Sequence, residues 1–259
     1  MAPLDTKPWW QGSFGYQIYI RSFADSNNDG FGDFQGIRSK IPYLKDLGVD
    51  FVWITPFYPS PMADWGYDVA EYCDIDPTFG TLDDFDELVE KAHQSGIKIV
   101  ADLVPNHTSD QHVWFKEAKK GPENEFRDYY VWKDPAPDGG PPNNWVAYFG
   151  GPAWTFDDNS GQYYMHLFLP EQPDLNWRNP KVLNEFDQIL RFWLERGIDG
   201  FRIDVAGGLM KDEQFRSNPE ITTWDPEGDR WEQFESFEHL YDIFQEDNHE
   251  LFRRWRSIF

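Results

Sequence analysis

Four short apolar segments, separated by stretches with helical patterning, constrain the fold of this chain most strongly. They are rich in β-branched and aromatic residues and have the length of buried strands. They span residues 16–20, 49–55, 97–103 and 198–204. Because strands that alternate with helices pair in parallel, the sequence predicts an α/β fold around a parallel sheet.

The helical stretches have recognisable starts and stops. Thr81, followed three residues later by Asp84, is predicted to cap one helix, which ends at Gly96. Another helix is predicted from about residue 181 to 196, and a third, over 37–47, precedes the second strand. Each of these helices has one apolar face with which to cover the sheet.

The spacing of the strands predicts an insertion. The first three strands follow one another at the spacing of a long βα unit, but the fourth begins about 100 residues after the third. The excess is rich in Pro, Gly, Asn and Trp. We therefore predict barrel parts over 1–107 and 171–259, with a small irregular domain inserted at 108–170.

Polar residues cluster where the predicted strands end. In a (β/α) barrel the carboxyl ends of the strands carry the active site. All four predicted strands follow this rule, which favours a barrel-type fold with a site at these ends. The clusters are Arg21 and Asp25, Asp64 to Asp68, Asp102 with Asn106 and His107, and Arg202 with Asp204.

The last cluster suggests a nucleophile. Arg202 and Asp204 are two residues apart, so in a strand their side chains point the same way. A neighbouring cation keeps a carboxylate ionised, as covalent glycosyl transfer requires. Asp102, at the end of a neighbouring strand, can pair with Arg202. These residues alone leave open a structural ion pair.

Two further clusters could bind a sugar. Tyr67 can stack on a sugar ring, and Asp68 can accept hydrogen bonds from two vicinal hydroxyls. His107 can donate to a hydroxyl or to developing charge. A solvated turn at Tyr67 and Asp68, and a structural histidine, remain the alternatives.

The loop after the first strand resembles part of a calcium loop. Oxygen ligands recur at its positions 1, 3, 5 and 9, position 7 offers a backbone carbonyl, and position 6 is glycine. Position 12 is Gly36 and not the Glu of an EF-hand, so an isolated calcium loop is predicted. Mg²⁺ is the alternative metal. An Asx-rich turn without metal is the alternative. The predicted ligands are Asp25, Asn27, Asp29, Phe31 and Asp33.

Net charge and cysteine content limit the possible binding partners and disulfide bonds. With 46 acidic and 23 basic residues, the net charge is -23, which argues against nucleic acid or anionic membrane as a partner. Cys73 is the single cysteine, so no intrachain disulfide can form. The first ten residues lack the pattern of a signal peptide, and no run approaches a membrane span. We therefore predict a cytoplasmic protein.

Three blocks of this sequence together resemble a known family. Residues 102–107, 172–176 and 200–204 are similar to the signature blocks of the α-amylase superfamily, glycoside hydrolase family 13. From Trp9 to Phe259 the chain resembles the oligo-1,6-glucosidase and α-glucosidase branch. The order and spacing of the blocks carry the likeness.

The resemblance implies an α/β fold of the (β/α)8 TIM-barrel type and a retaining hydrolase of terminal α-linked glucose. It implies a covalent glucosyl intermediate on Asp204, kept ionised by Arg202. It also implies that Asp102 braces Arg202, with Asn106 as further support. The glucose would be held by Tyr67, Asp68, His107 and Arg202, and the first-loop metal would be Ca²⁺.

The chain departs from the family pattern in two respects. Position 207 is glycine where relatives often carry a polar residue, which weakens any assignment of a second subsite. The family's general acid, a Glu after the fifth strand, has no counterpart before Phe259, and Glu246 and Glu250 lie in helical context. About four βα units are therefore expected, and the chain alone is predicted to be inactive unless the missing half of the barrel completes it.

Two other functions remain open. A trehalose-forming isomerase or α-glucosyl transferase would share the first chemical steps. Val205 beside the nucleophile resembles the α-1,6 preference found within the α-glucosidase branch. A non-catalytic carbohydrate-binding or assembly relative is the third. The missing acid favours that third reading, whereas the joint presence of Tyr67, Asp68, His107, Arg202 and Asp204 argues against it.

Overall fold

The computed structural model describes residues 7–225 and 227–259. The strands are β1 Gly15–Ile18, β2 Phe51–Ile54, β3 Lys98–Leu103, β4 Trp132–Lys133, β5 Trp154–Asp157, β6 Gln162–Met165 and β7 Gly200–Ile203. The helices are α1 Ile20–Phe23, α2 Phe34–Ser39, α3 Ile41–Asp46, α4 Leu82–Gln94, α5 Val113–Ala118, α6 Pro180–Glu195, α7 Arg230–Glu235 and α8 Asn248–Arg256.

The four predicted strands form one sheet in the order β1-β2-β3-β7. β1 pairs in parallel with β2, and β2 in parallel with β3. Val52, Ile54 and Ile99 are fully buried and lie on one face of the sheet, since Val52 pairs with Ile99 and Ile54 is two residues from Val52. The α/β class with a parallel sheet is therefore confirmed. The first strand ends earlier than predicted, because Ile20 already begins α1.

The first compact unit comprises the described residues up to Phe57, together with Asp74–Leu103 and Trp193–Arg202. Its core contains four aromatic rings, with neighbouring centroids 5.2 to 5.4 Å apart and mostly in edge-to-face contact. The predicted capping box of α4 is present, because Thr81 and Asp84 exchange hydrogen bonds. The four rings are Phe34, Phe57, Phe85 and Trp193.

The second unit comprises Tyr58–Cys73, Val104–Phe192 and Ile203–Phe259. It contains the predicted insertion, within which an antiparallel sheet in the order β4-β6-β5 forms. The sequence pattern did not predict this sheet. The predicted domain boundaries at 107 and 170 stay predictions, since the units group residues by packing. The apolar core of this part contains Val131, Trp145, Val146, Ala153, Trp154, Met165, Leu167, Phe234 and Ile243.

The location of the protein stays a prediction. Residues 1–6, which form most of the segment read for a signal peptide, lie outside the described residues. Within the described chain, no helix combines the length and the apolar character needed to cross a bilayer.

Candidate active site

The turn after β3 presents Asn106 and His107 from a buried backbone. The Tyr72 hydroxyl lies 2.8 Å from the Val104 carbonyl and 2.7 Å from the His107 carbonyl. The indole of Trp177 donates to the Pro105 carbonyl at 2.8 Å. These contacts satisfy backbone acceptors that leave the strand ladder inside the protein. They fix the position of the His107 side chain.

His107 is buried and contacted on both ring nitrogens. Its Nδ1 lies 3.0 Å from Asn106 Oδ1, and its Nε2 lies 3.0 Å from Gln172 Nε2 and 3.2 Å from the Tyr67 carbonyl. Burial lowers the pKa of His107, while the charges of Asp174, Asp204 and Asp68 act in the opposite direction. The direction of the pKa shift keeps the imidazole neutral at neutral pH.

Asp204 directly follows β7 and is partly buried. Its charge acts on His107 and also helps to raise the pKa of Asp64, so the three side chains share one electrostatic environment. Val205 turns the chain with φ 48°, in the left-handed region, which a β-branched residue rarely adopts. The structure thus brings Asp204 close to His107, within the second unit.

Asp64 belongs to the site, although sequence analysis assigned it no role of its own. Gln172 Nε2 donates to Asp64 Oδ2 at 2.9 Å. Burial is the main cause that raises the pKa of Asp64, opposed by the Gln172 hydrogen bond and assisted by Asp68 and Asp204. Asp64 is therefore a partly buried acceptor beside Asp204.

Asp68 is fixed within its own loop. Its side chain is fully buried, and its carboxylate accepts hydrogen bonds from the Ser60 hydroxyl and from the amides of Ala63 and Asp64, each at 2.9 Å. The carboxylate thereby fixes the loop that carries Asp64 and Tyr67. A carboxylate can accept about four hydrogen bonds, so a contact of Asp68 with sugar hydroxyls stays a prediction.

Arg202 and Asp102 contact one another within the first unit. Arg202 Nη1 lies 3.1 Å from Asp102 Oδ1 and 3.3 Å from Oδ2. Asp102 is fully buried and also accepts from the Trp53 indole at 2.9 Å, while the Arg202 guanidinium lies over the Trp53 ring at 4.8 Å. The guanidinium is thus held by a carboxylate and an aromatic face, as the spacing of the two strand ends led us to expect.

The Asn106 side chain is held by two hydrogen-bond acceptors. Its Nδ2 donates to the Gly208 carbonyl at 2.8 Å and to Asp174 Oδ2 at 3.2 Å. Asp174 also accepts from Lys211 Nζ at 2.7 Å and from the Leu167 amide at 2.9 Å. All of these groups are buried or backbone, so the support is rigid.

Gly207 lies against the Phe244 side chain. A Cβ at this position would clash with the Phe244 ring unless the ring turned aside, and the Phe244 amide donates to the Gly207 carbonyl at 2.7 Å. Phe244 is 73% exposed. An aromatic ring therefore lies where a side chain at 207 would project.

The loop of predicted metal ligands, Asp25 to Asp33, is a turn held by its own hydrogen bonds and exposed up to Phe31, and we call it the acidic loop. Asp25 accepts from the amides of Asn27, Asn28 and Gly30 at 2.7 to 3.0 Å. The Gly30 contact is the main cause that lowers the pKa of Asp25.

The ligand chemistry of the acidic loop suits a hard cation, since Asp and Asn oxygens are those that Ca²⁺ prefers. Asp29 accepts from the Phe31 amide at 2.8 Å, and Asp33 caps α2 through the Gly36 amide at 2.6 Å. Among the described residues, no group of three or more His, Cys, Asp or Glu side chains is arranged to hold a metal. A metal at the loop stays a prediction.

Comparisons with known proteins agree with this architecture. The alpha-amylase catalytic-domain model matches residues 17–258. An alpha-glucosidase of Culex pipiens is 50% identical over 254 residues, which cover 98% of this chain and 43% of the relative. An oligo-1,6-glucosidase of Heyndrickxia coagulans is 48% identical over 250 residues, covering 95% and 44% of the two chains.

A solved structure gives the same picture. The crystal structure of the alpha-glucosyl transfer enzyme XgtA superposes with a TM-score of 0.92 at 46% identity, covering 97% of this chain and 48% of the other. The chain therefore spans less than half the length of each of these three relatives.

Proposed function

We propose, for a chain that belongs to the alpha-amylase family, that it contributes the nucleophile side of a retaining α-glucosidase. The catalytic domain of this family is a (β/α)8 barrel, so the barrel-type fold class is confirmed, with the parallel strands β1, β2, β3 and β7 present here. The proposed substrates are α-linked glucosides such as maltose and isomalto-oligosaccharides.

One observation supports the proposal most directly. The Asp204 carboxylate lies close enough to His107 and Asp64 for its charge to act on the pKa of both groups. A carboxylate at the end of a parallel strand, beside a neutral imidazole and a second acceptor, suits a site that binds hydroxyls around a reacting carbon.

The proposed chemistry follows from that arrangement. Asp204 attacks the anomeric carbon and forms a glucosyl ester, while the glycosidic oxygen leaves with a proton from a carboxylic acid. Water then cleaves the ester, and glucose is released with its anomeric configuration retained. Arg202 would hold the carboxylate ionised, since a guanidinium favours the charged form of a neighbouring acid. Asp102 and Trp53 would fix Arg202 for this role.

The sugar contacts are proposed from the same neighbourhood. His107 and Asp64 would bind hydroxyls of the terminal glucose, and Tyr67 would stack on its ring. Asp68 would hold the loop and would offer its remaining acceptor capacity to a sugar hydroxyl.

We assign the general acid to no residue of this chain. A retaining glycosidase needs two carboxyl groups about 5 to 5.5 Å apart. The relatives are more than twice as long as the matched segment, so we propose that the remainder of a barrel supplies the acid. On this proposal the 259-residue chain alone does not hydrolyse glucosides.

The acidic loop is proposed to bind Ca²⁺, with Mg²⁺ as the second candidate. Asp25, Asn27, Asp29 and Asp33 would supply side-chain oxygens, and Phe31 its carbonyl. A bound cation there would stiffen the loop that precedes α2.

A second candidate function is glucosyl transfer to a sugar acceptor, as in a transferase or a trehalose-forming isomerase. The high similarity to an alpha-glucosyl transfer enzyme favours it. The products formed from maltose separate the two, because hydrolysis yields glucose alone and transfer also yields new oligosaccharides or an isomeric disaccharide. A non-catalytic relative would form neither.

The direct test is Asp204→Asn in the full-length gene product. We expect hydrolysis of p-nitrophenyl α-glucoside to fall by roughly four orders of magnitude, because the nucleophile is lost. Asp138→Asn, at an exposed carboxylate in a loop of the insertion, is the matched control and should retain wild-type activity. Activity that survives in the Asp204 variant would contradict the assignment.

A further inference from the structure

A buried ion pair lies behind His107 in the second unit. Lys211 Nζ lies 2.7 Å from Asp174 Oδ2, and the two side chains are 4% and 0% exposed. Lys211 Nζ also donates to the Gly208 carbonyl. Burying an ammonium and a carboxylate together contributes little to stability compared with apolar side chains of the same size. The pair is therefore better explained by the orientation that it gives to the neighbouring side chains.

Asn106 transmits the orientation of this pair to His107. Its Nδ2 donates to the Gly208 carbonyl and to Asp174 Oδ2. Both partners only accept hydrogen bonds, so the amide cannot be turned over, and its Oδ1 must face His107 Nδ1. An oxygen at 3.0 Å from Nδ1 requires that Nδ1 carry the proton.

Gln172 determines the protonation of the other ring nitrogen of His107, Nε2. Its Oε1 accepts from the Leu169 amide at 3.1 Å, and its Nε2 donates to Asp64 at 2.9 Å. The amide is therefore also fixed, and it turns an N–H toward His107 Nε2 at 3.0 Å. That contact requires a lone pair on Nε2.

One contact acts against this tautomer. The Tyr67 carbonyl lies 3.2 Å from His107 Nε2 and would favour a proton there. The side-chain amides of Asn106 and Gln172, each fixed by other partners, favour a proton on Nδ1 and none on Nε2. The Gln172 contact is the shorter of the two at Nε2. Burial also disfavours the doubly protonated ring, because a charged imidazole loses solvation inside the protein.

We propose that Lys211 is a positioning residue that acts through Asp174 and Asn106 to hold His107 neutral, with its proton on Nδ1 and its lone pair on Nε2. The kinetic consequence rests on the proposed glucosidase function. A substrate hydroxyl that reaches Nε2 must then donate a hydrogen bond to it. This reverses the expectation from the sequence that His107 donates to a hydroxyl or to developing charge.

The tautomer can be read directly by long-range ¹H–¹⁵N correlation on the histidine-labelled full-length gene product. His107→Gln identifies the signals. We expect the wild type to show the Nδ1–H form. In Lys211→Met, Asp174 and the Gly208 carbonyl both lose the ammonium that holds them. Asp174 then takes up a proton and the carbonyl can move away from Asn106, so Asn106 can turn its oxygen toward that acid, and the Nε2–H form should appear.

Two control variants separate orientation from charge loss. Lys211→Arg keeps a cation at the position and should restore the Nδ1–H form. Lys98→Met removes an ion pair of 2.6 Å with Asp199 in the first unit, and should leave the His107 signals unchanged.

Kinetics provide the second measurement. For p-nitrophenyl α-glucoside, kcat/KM should fall about tenfold or more in Lys211→Met, as expected for a histidine in the wrong tautomer, and should recover in Lys211→Arg. If Lys211→Met does not fold, Asn106→Ala provides a second variant. It removes the acceptor from Nδ1, so the Nε2–H form, from which the Tyr67 carbonyl can accept, should appear.

The outcomes distinguish this inference from the proposed function. An Nε2–H signal in an active wild-type enzyme overturns the inference alone, as does a folded Lys211→Met variant with an unchanged tautomer and full kcat/KM. A folded Asn106→Ala variant that keeps the Nδ1–H form also overturns it. The Nδ1–H form in a protein that hydrolyses no glucoside supports the tautomer and contradicts the proposed function.

Discussion

Two polar clusters in this molecule accommodate their carboxylate charges in different ways. In the acidic loop of the first unit, the side chains are largely exposed, and Asp25 and Asp29 accept hydrogen bonds from the loop itself. In the His107 network of the second unit, every side chain except Asp64 is almost completely buried, and the cation is internal. The network comprises Asp64, Asn106, His107, Gln172, Asp174 and Lys211.

The difference teaches how each cluster depends on its surroundings. Water and dissolved ions can screen exposed carboxylates, so the acidic loop tolerates an excess of negative charge. A buried carboxylate has no such help and needs a partner of opposite charge and satisfied hydrogen bonds. The network should therefore respond strongly to the loss of one partner, and the loop should respond mainly to ions.

The sharpest way to break this comparison is to remove the internal cation. Lys211→Met leaves the buried Asp174 unpaired, and we expect the free energy of unfolding to fall by about 3 to 5 kcal/mol. Urea denaturation of the full-length gene product measures it. Lys98→Met removes a pair whose lysine is 36% exposed, and should cost about 1 kcal/mol or less. Equal losses in the two variants would contradict the distinction.

Acid should affect the second unit at a higher pH than the acidic loop. Burial lowers the pKa of His112 to about 3, and it lowers the pKa of His107 and His166 in the same direction. The unfolded chain takes up these protons near pH 6.5, so stability is full above that value and is lost as the pH falls. His112 alone should withdraw ~3 kcal/mol by about pH 4.

Two groups sharpen the acid experiment. Burial would lower the pKa of His239, but its contacts with Asp242 raise it, so its contribution is present below pH 6.5 and opposes the other three. The pKa of Asp25 is lowered by the Gly30 amide, so the acidic loop weakens only below about pH 3.8.

His112→Asn is the variant for the acid experiment. Asparagine keeps an acceptor for the Trp114 amide at the start of α5 and removes the titration. Urea midpoints between pH 7 and pH 4 should then fall less steeply than in the wild type. An unchanged slope would show that His112 does not titrate as its burial implies.

Calcium should act on the acidic loop alone. If the loop binds Ca²⁺, a hundredfold excess over the dissociation constant should stabilise the folded protein by about 2.7 kcal/mol. Thermal unfolding with Ca²⁺ and with EDTA measures this. Asp29→Ala should abolish the response, and Asp64→Asn should retain it. A calcium response that persists in Asp29→Ala would place the ion elsewhere.

The smallest expected effect is the loss of a helix cap. Asp33, the buried end of the acidic loop, accepts from the Gly36 amide at the start of α2 and from the Ser26 amide and hydroxyl. Asp33→Ala should lower the free energy of unfolding by about 2 kcal/mol. Asp33→Asn keeps the capping oxygen and loses the acceptor for Ser26, so it separates the cap from the Ser26 contacts. The variants are compared in EDTA, so that metal binding does not contribute. A loss above 3 kcal/mol would show that this end of the loop behaves like the buried network.

The sheet and the start of α4 were predictable because their signals are local. β2 is a continuous apolar run, β3 has one at residues 99–101, and the Thr81 and Asp84 capping box needs only four residues. The single helix predicted over 37–47 is instead two helices, since Pro42 lies in the first turn of α3 and has no amide hydrogen to continue the bonding from α2. Leu47, the last residue of that predicted helix, is 46% exposed.

The site was predictable only where it follows strand ends. Asp204 comes directly after β7 and His107 four residues after β3, so the barrel rule found them. Lys211 carried no signal, because a lysine in a loop is usually solvated, and only the fold shows that its ammonium is buried against Asp174. Asp64 and Asp68 looked alike in the sequence, and the path of their loop decides which is buried.

The central claim is that Asp204 forms a covalent bond to glucose, and trapping that intermediate tests it most directly. 5-Fluoro-α-glucosyl fluoride slows both chemical steps, so attack expels fluoride and leaves a long-lived glucosyl ester. Incubation with the full-length gene product, followed by proteolysis and mass spectrometry, should place the fluoroglucosyl group on Asp204, with no labelling in Asp204→Asn. A label on another carboxylate, or an enzyme that turns over glucosides with Asp204 replaced, would contradict the account.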